Sequence, residues 1–138
     1  MNKRKIYVTE QDKIKLTKLF SSTVGFRSRD LKTVKDLLSE LERAVVIEED
    51  NSAGNIVKMN SVVHIKDLDT GQEYEYTIVY PEFADSSQNK ISILAPIGTA
   101  LLGYKKGDTI SWEVPKGKRK LKILNVYNDQ KKENRIAI

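Results

Sequence analysis

The apolar positions of this chain change period once, near residue 50. Between residues 10 and 45 they recur every three or four residues, and from Ile56 onward they alternate. The clearest helical run is Leu31, Val34, Leu38, Leu41 and Val45, widened by Leu37 and Ala44. It predicts an amphipathic helix over 31–45, roughly 24 Å long, with Asp30 at its start where a carboxylate favours the helix N-terminus. Upstream, Ile14, Leu16, Leu19 and Phe20 make a less regular stripe. It predicts a helix from Glu10 to Phe20, with Thr9 as N-cap and Asp12 three residues on in a capping-box pattern. Ser21 to Ser28 breaks the periodicity with small and β-branched residues and Gly25, which reads as a loop. A short loop between two such helices predicts an antiparallel hairpin with a coiled-coil seam. The alternative is that both helices lie flat on the sheet that follows.

Glu48 to Asn55 is acidic, polar and glycine-containing, so it reads as a linker dividing the chain into 1–50 and 51–138. Beyond it, Ser61–Lys66 and Glu73–Tyr80 are alternating strands joined by an Asp69-Thr70-Gly71 turn, and Pro81 stops the second. Ala84 to Lys90 is a polar loop. Ile91 to Pro115 reads as strand, short helix and strand. Ile91–Leu94 alternates, Ala95-Pro96 turns the chain, Ile97–Leu102 is helical, and Gly103 follows where a C′ residue takes positive φ. After a Lys106-Gly107-Asp108 turn, Ile110, Trp112 and Val114 share one strand face. Lys116-Gly117-Lys118 makes another hairpin turn before a last strand, Leu121–Tyr127. About five strands and one brief helix in sequential hairpins predict a mostly antiparallel α+β domain.

Composition narrows the possibilities. The 138 residues are 39% hydrophobic and 31% charged, as in an ordinary folded domain, and no apolar run reaches the ~18–20 residues of a membrane span. The basic start, Met1 to Lys5, is followed by no apolar signal-peptide core, so a cytoplasmic protein is expected. With no cysteine and one histidine, thiolate chemistry is excluded and little remains for zinc. Net charge is +5, spread thinly: residues 1–50 carry eleven Lys/Arg against nine Asp/Glu. The one local basic cluster is Lys116, Lys118, Arg119, Lys120 and Lys122, readable as a phosphate-binding patch or as a lysine-protected turn and edge strand.

Catalytic constellations are scarce. His64 alternates with Val63 and Ile65 and reads as a surface imidazole. Asp67 and Asp69 could pair as acids but sit beside Thr70-Gly71 as turn residues. Tyr74, Tyr76, Tyr80 and Trp112 could stack on bases, although strand spacing favours core packing. No cofactor and no metal ligand set is expected. Ala95-Pro96-Ile97-Gly98 is an apolar bend that, if exposed, could anchor a partner.

Several runs carry a resemblance. They are Leu38-Ser39-Glu40-Leu41-Glu42-Arg43-Ala44, Val57-Lys58-Met59-Asn60-Ser61, Val79-Tyr80-Pro81, and Ala95-Pro96-Ile97-Gly98-Thr99-Ala100-Leu101-Leu102-Gly103 with Gly107-Asp108 after it. In this order and spacing the chain resembles the bacterial Gre family of transcription elongation factors, and within it the short branch called Rnk, regulator of nucleoside diphosphate kinase. The resemblance implies an FKBP-like docking domain over 51–138 behind a short antiparallel coiled coil. It implies RNA polymerase as partner, gripped at the rim of its secondary channel, with Ala95, Pro96, Ile97 and Gly98 as the docking loop. A monomer is expected, and the thinly spread charge argues against direct nucleic-acid binding. Cleavage factors of the family carry an acidic pair at the coiled-coil tip that holds a metal ion. Here the tip comprises Gly25, Phe26, Arg27, Arg29 and Asp30. One carboxylate beside two guanidiniums is a poor magnesium site, because hard cations want several anionic oxygens. The expectation is therefore a regulator that binds polymerase and competes with longer factors without stimulating transcript cleavage. An FKBP-like fold also raises prolyl isomerase chemistry as an alternative, and the basic hairpin raises RNA or DNA binding.

Overall fold

The computed structural model describes residues 6–21, 26, 28–48, 55–114 and 117–128. The elements run β1 (Tyr7–Thr9), α1 (Glu10–Ser21), α2 (Leu31–Arg43), β2 (Val45–Ile47), β3 (Val62–Asp67), β4 (Glu73–Val79), β5 (Lys90–Ser92), α3 (Pro96–Leu101), β6 (Thr109–Val114) and β7 (Gly117–Tyr127). The architecture is the expected α+β one: a helical hairpin, then a five-stranded sheet of order β5-β4-β3-β7-β6 with a short helix. Within this sheet the β3–β4, β3–β7 and β6–β7 pairs are antiparallel and β4–β5 is parallel; β1 and β2 form a separate parallel pair. None of the described helices is long and apolar enough to cross a membrane.

Thr9 caps α1 as its residue type predicts: its hydroxyl oxygen accepts from the Asp12 amide at 3.2 Å. The Asp12 carboxylate also accepts from the Met59 amide at 3.0 Å, tying the first turn of α1 to the strand domain. Leu16 and Phe20 are buried, whereas Ile14 is 58% exposed and lies off the stripe to which the sequence assigned it. In α2, Val34, Leu37 and Leu41 are buried, while Leu31 and Leu38 are only half so. The 3.6-residue period thus places Leu37, rather than Leu38, deepest in the interface.

The expected helix to Val45 stops two residues early. Ala44 takes extended geometry (φ −67°, ψ 147°), and the β-branched run Val45-Val46-Ile47 pairs in parallel with Tyr7-Val8-Thr9. β-Branched residues lose side-chain freedom in a helix and fit a strand, and here a strand partner is supplied from the far end of the hairpin. β1 is anchored on its other side too, where the Tyr7 amide donates to the Gly103 carbonyl at 3.2 Å. As a result Ile6, Val8, Leu16, Phe20, Val34, Leu37 and Leu41 share one buried cluster with Val57, Val63, Ile65, Ile78, Leu101 and Ile123. The hairpin has no separate core of its own.

β3 alternates as predicted, with Val63, Ile65 and Asp67 buried and His64 and Lys66 facing outward. β7 begins four residues earlier than expected. Val114 pairs with Gly117, so the connection is Pro115-Lys116, which lies outside the described residues. β7 is also an interior strand between β3 and β6, not an edge. Its alternation leaves Lys118, Lys120 and Lys122 exposed while Leu121 and Ile123 are buried.

Candidate functional site

The bend at Ala95–Gly98 is held by a dense set of local bonds. Ser92 uses both of its oxygens: the hydroxyl accepts from the Leu94 amide at 2.9 Å and the carbonyl from the Ala95 amide at 2.9 Å. Thr99 donates its hydroxyl to the Ile93 carbonyl at 2.6 Å. Ala95 precedes the helix in extended geometry, and Pro96 takes the first helical position, where its fixed φ suits the turn and no amide is needed. α3 then ends where expected, with Gly103 at φ +87°. Gly103 has a second constraint, because a Cβ there would lie 2.3 Å from Ile6 Cβ.

The four residues of this bend have different fates. Pro96 is exposed, Ala95 and Ile97 are half-buried, and Gly98 is buried. A Cβ on Gly98 would lie 2.4 Å from the Ser92 carbonyl oxygen, so Gly98 is the contact that lets α3 lie on the β5 turn. Of the four, only Pro96 is exposed. Ile97 turns inward over the sheet.

Beneath Ile97 lies a cleft of about 240 Å³ at one end of the inner sheet face. It is lined by Ile65, Asp67, Tyr74, Tyr76, Ile97, Arg119 and Leu121. The registers Ile65↔Tyr74 and Val63↔Tyr76 place the tyrosines on the buried face of β4. Their rings stack, with centroids 5.9 Å apart and planes 11° from parallel. Both tyrosines are half-buried and pack against the core, as their strand spacing predicts, and they also form one wall of the cleft. Burial pushes the Tyr76 hydroxyl pKa up, and the neighbouring Tyr74 adds to the shift.

Asp67 is more than a turn residue. It is only 2% exposed. One carboxylate oxygen accepts from the Asp69 amide (2.8 Å) and the Thr70 amide (3.2 Å), and the other accepts from Arg119. The Arg119 hydrogen bond holds the Asp67 carboxyl below its usual range, helped by the two amides and opposed by burial. Reciprocally, the hydrogen bond and charge of Asp67 raise the Arg119 pKa. One of the five members of the basic cluster is thereby neutralised, and Lys116 lies outside the described residues. His64 sits on the opposite, outer face, with its Nε2 at 2.8 Å from Glu73.

Gly25 and Arg27 of the hairpin tip lie outside the described residues. Phe26 folds back, its ring 6.1 Å from that of buried Phe20. Ser28–Asp30 forms a 3-10 turn, and Asp30 starts α2 without a side-chain cap bond. No hydrogen bond or ring contact of the described tip residues Phe26 and Asp30 joins them to the Ala95–Gly98 bend. Two apolar features escaped the sequence reading. Phe83 is 59% exposed in the 3-10 turn after β4, and Val46, 47% exposed, lines a shallow groove with Ile14 on the outer side of α1. Phe83 carried a legible signal, as the one aromatic in an otherwise polar 82–90 segment. Val46 carried none, since its strand was not foreseen.

Two family profiles cover most of the chain. The profile described as "Transcription elongation factor, GreA/GreB, C-term" matches residues 51–128, and "Rnk N-terminus" matches 4–47. The chain is similar to the transcription elongation factor GreA of Clostridium kluyveri, 42% identical over 93 residues (67% of this chain, 58% of that protein). It is also similar to the regulator of nucleoside diphosphate kinase of Escherichia coli K12, 40% identical over 81 residues (59% of this chain, 60% of that protein). It thus spans less than two thirds of the length of these curated relatives. Among solved structures, a prokaryotic GreA/GreB transcription elongation factor from Nitrosomonas europaea superposes with a TM-score of 0.71 at 38% identity, covering 91% of this chain and 99% of that one.

Proposed function

The chain belongs to the GreA/GreB family of transcription elongation factors and carries an Rnk-type N-terminus, and from that membership we propose that it regulates transcription elongation by binding RNA polymerase without stimulating transcript cleavage. In this reading 51–138 is the docking domain and 1–50 the short helical module. The domain grips the rim of the secondary channel through Ala95, Pro96, Ile97 and Gly98, and occupancy of the port excludes longer Gre-type factors. The protein works as a cytoplasmic monomer, without a cofactor.

The observation that carries the docking assignment is the geometry of the bend. An exposed proline is presented at the start of α3 by a backbone fixed through Ser92, Ile93 and Thr99. Such a feature can meet a partner without loss of its own conformational freedom. The absence of cleavage chemistry rests on the sequence of the tip. From Ser21 to Asp30 it contains one carboxylate and two arginines, an unsuitable set for a hard divalent cation.

The test is competition on purified core polymerase. The wild-type chain binds and is displaced by a long Gre factor, whereas Pro96→Asp lowers affinity at least tenfold, the loss expected for a charge forced into a desolvated contact. Binding by Pro96→Asp with wild-type affinity removes the docking loop from the reading. A proline-peptide isomerisation assay separates the enzymatic alternative: the expected result is no rate enhancement, and clear turnover replaces the regulatory reading with a catalytic one.

A further inference from the structure

Charge that is spread thinly along the sequence is gathered by the sheet on one surface. The outer face, turned away from buried Val63, Ile65, Leu121 and Ile123, carries the register pairs Val62↔Tyr127, His64↔Asn125 and Lys66↔Lys122. Lys118, Lys120 and Lys122 are exposed at every second position of β7, and Lys66 stands directly opposite Lys122. None of these four lysines forms an ion pair among the described residues. The carboxylates of the same face lie to the sides of the row. Glu75 is opposite His64, and Glu73, which is opposite Lys66, is engaged instead by His64 Nε2 at 2.8 Å. On the β6 side the register sets Thr109 and Ser111 against Lys122 and Lys120, and Glu113 against Lys118 at the hairpin end.

Two structural explanations of these lysines fail. Lysine on an edge strand blocks edge-to-edge pairing, but β7 is interior. Opposite charges across strands stabilise a sheet, but Lys66 and Lys122 are like charges directly opposite, which destabilises it. A row of unneutralised cations retained against that repulsion fits an anionic partner, and its shape selects which one. Lys118 to Lys122 spans roughly 13 Å with a charge every ~6.6 Å, an interval suited to successive phosphates of an extended single strand. Farther along the same face of β7 is Tyr127, whose hydroxyl accepts from Asn125 Nδ2 at 3.0 Å. Cations in line with an aromatic ring hold single-stranded nucleic acid through its phosphates and a stacked base, whereas an acidic peptide needs no such ring. We infer that single-stranded RNA lies along the outer face of β7, with its phosphates on Lys66, Lys118, Lys120 and Lys122 and a base against Tyr127. The choice of RNA over DNA rests on membership of a transcription-factor family, for which RNA is the product at hand. The surface itself does not depend on polymerase docking through Pro96, and the two fail separately.

The experiment is fluorescence anisotropy of labelled dodeca-uridylate with the full chain, without polymerase, over a series of salt concentrations. Wild type binds saturably, and log affinity falls with log salt at a slope of about −2 to −3, as three or four phosphate contacts require. Lys120→Gln and Lys122→Gln each lower affinity and flatten the slope by about 0.7. Lys35→Gln, which removes the same charge from an exposed position on α2, leaves both unchanged. Lys122→Gln also relieves the repulsion with Lys66, so its Tm stays at or above wild type and its lost binding is not unfolding. Tyr127→Leu weakens binding about tenfold without changing the slope. Four results overturn the inference. They are no saturable binding at low salt; equal weakening by Lys35→Gln and Lys122→Gln, which would mean net charge alone; displacement of the RNA by an equal concentration of dodeca-glutamate, which would make the face a receptor for acidic protein segments; or dodeca-thymidylate binding at least tenfold more tightly, which would make it a DNA site.

Discussion

Replacing Gly98 by alanine isolates the contact that seats the Ala95–Gly98 bend. Gly98 lies in α3 with ordinary helical geometry, so the substitution introduces no unfavourable φ. The added Cβ would nonetheless sit 2.4 Å from the Ser92 carbonyl oxygen, 3.3 Å from its carbon and 3.4 Å from Ile93 Cα. Since Cβ atoms do not approach other heavy atoms closer than 3.0 Å, α3 and the β5 turn must part by at least about 0.6 Å. All three obstacles are backbone, and the Ser92 carbonyl is held by the Ala95 amide at 2.9 Å. The cost therefore falls near the upper end of the ~1–3 kcal/mol range for overpacking. The better helix propensity of alanine returns ~1 kcal/mol. A net loss of about 2 kcal/mol lowers Tm by about 8 °C at this chain length. Thermal unfolding followed by circular dichroism measures it, with Gly107→Ala as the comparison. Gly107 has open space but φ +94°, so it loses ~1 kcal/mol from conformation alone and leaves α3 in place. A Gly98→Ala protein as stable as wild type would refute the claim that the bend is seated by close backbone approach.

Three further outcomes follow from the packing and the titrating groups. Leu37→Ala removes a side chain with no exposed surface from the junction of hairpin and sheet and costs ~2–5 kcal/mol in denaturant unfolding; a loss under ~1 kcal/mol would mean that the hairpin is not part of the common core. Because Arg119 and two amides hold the folded-state Asp67 carboxyl below 3.8, its contribution is fully present above the unfolded value and is lost as pH falls through the lower folded value. The Tm difference between wild type and Asp67→Asn should then shrink from pH 7 toward pH 3, and a constant difference contradicts the ion-pair account. Burial pushes the Tyr80 hydroxyl up to about 12, and it has no hydrogen-bond partner among the described residues. The unfolded chain therefore loses this proton first, so wild type loses stability between about pH 10 and 12. Tyr80→Phe should flatten that decline and unfold at or above the wild-type midpoint at pH 7; a sharply destabilised variant would show that the hydroxyl is satisfied.

The sequence made the local features legible because their causes are local. The spacing of Leu31, Val34, Leu38 and Leu41, widened by Leu37, marks a helix face, Thr9 has the geometry to cap α1, and Gly103 follows α3 at positive φ. Strand alternation assigned Val63 and Ile65 to the core. The features that were not legible are those whose partners lie far along the chain. The short apolar segments at 7–9 and 45–47 are strands only because they meet each other. Asp12 reads locally as half of a capping box, and nothing local shows that its Oδ2 serves the Met59 amide, 47 residues away. Asp67 and Arg119 each had an adequate local explanation, as a turn residue and as part of a lysine-rich hairpin. Their meeting across the β3–β7 pairing creates the mouth of the cleft. A period of two assigns residues to a face, but not to a neighbour.

The most direct test of the account uses stalled, backtracked elongation complexes with purified polymerase and a long cleavage factor. Added alone, even in large excess, this chain should release no cleaved transcript. Added with the cleavage factor, it should suppress cleavage in proportion to its concentration, and Pro96→Asp should shift that suppression to at least tenfold higher concentration. Transcript cleavage by the chain itself, or full cleavage-factor activity in its presence at saturating excess, would contradict the central claim.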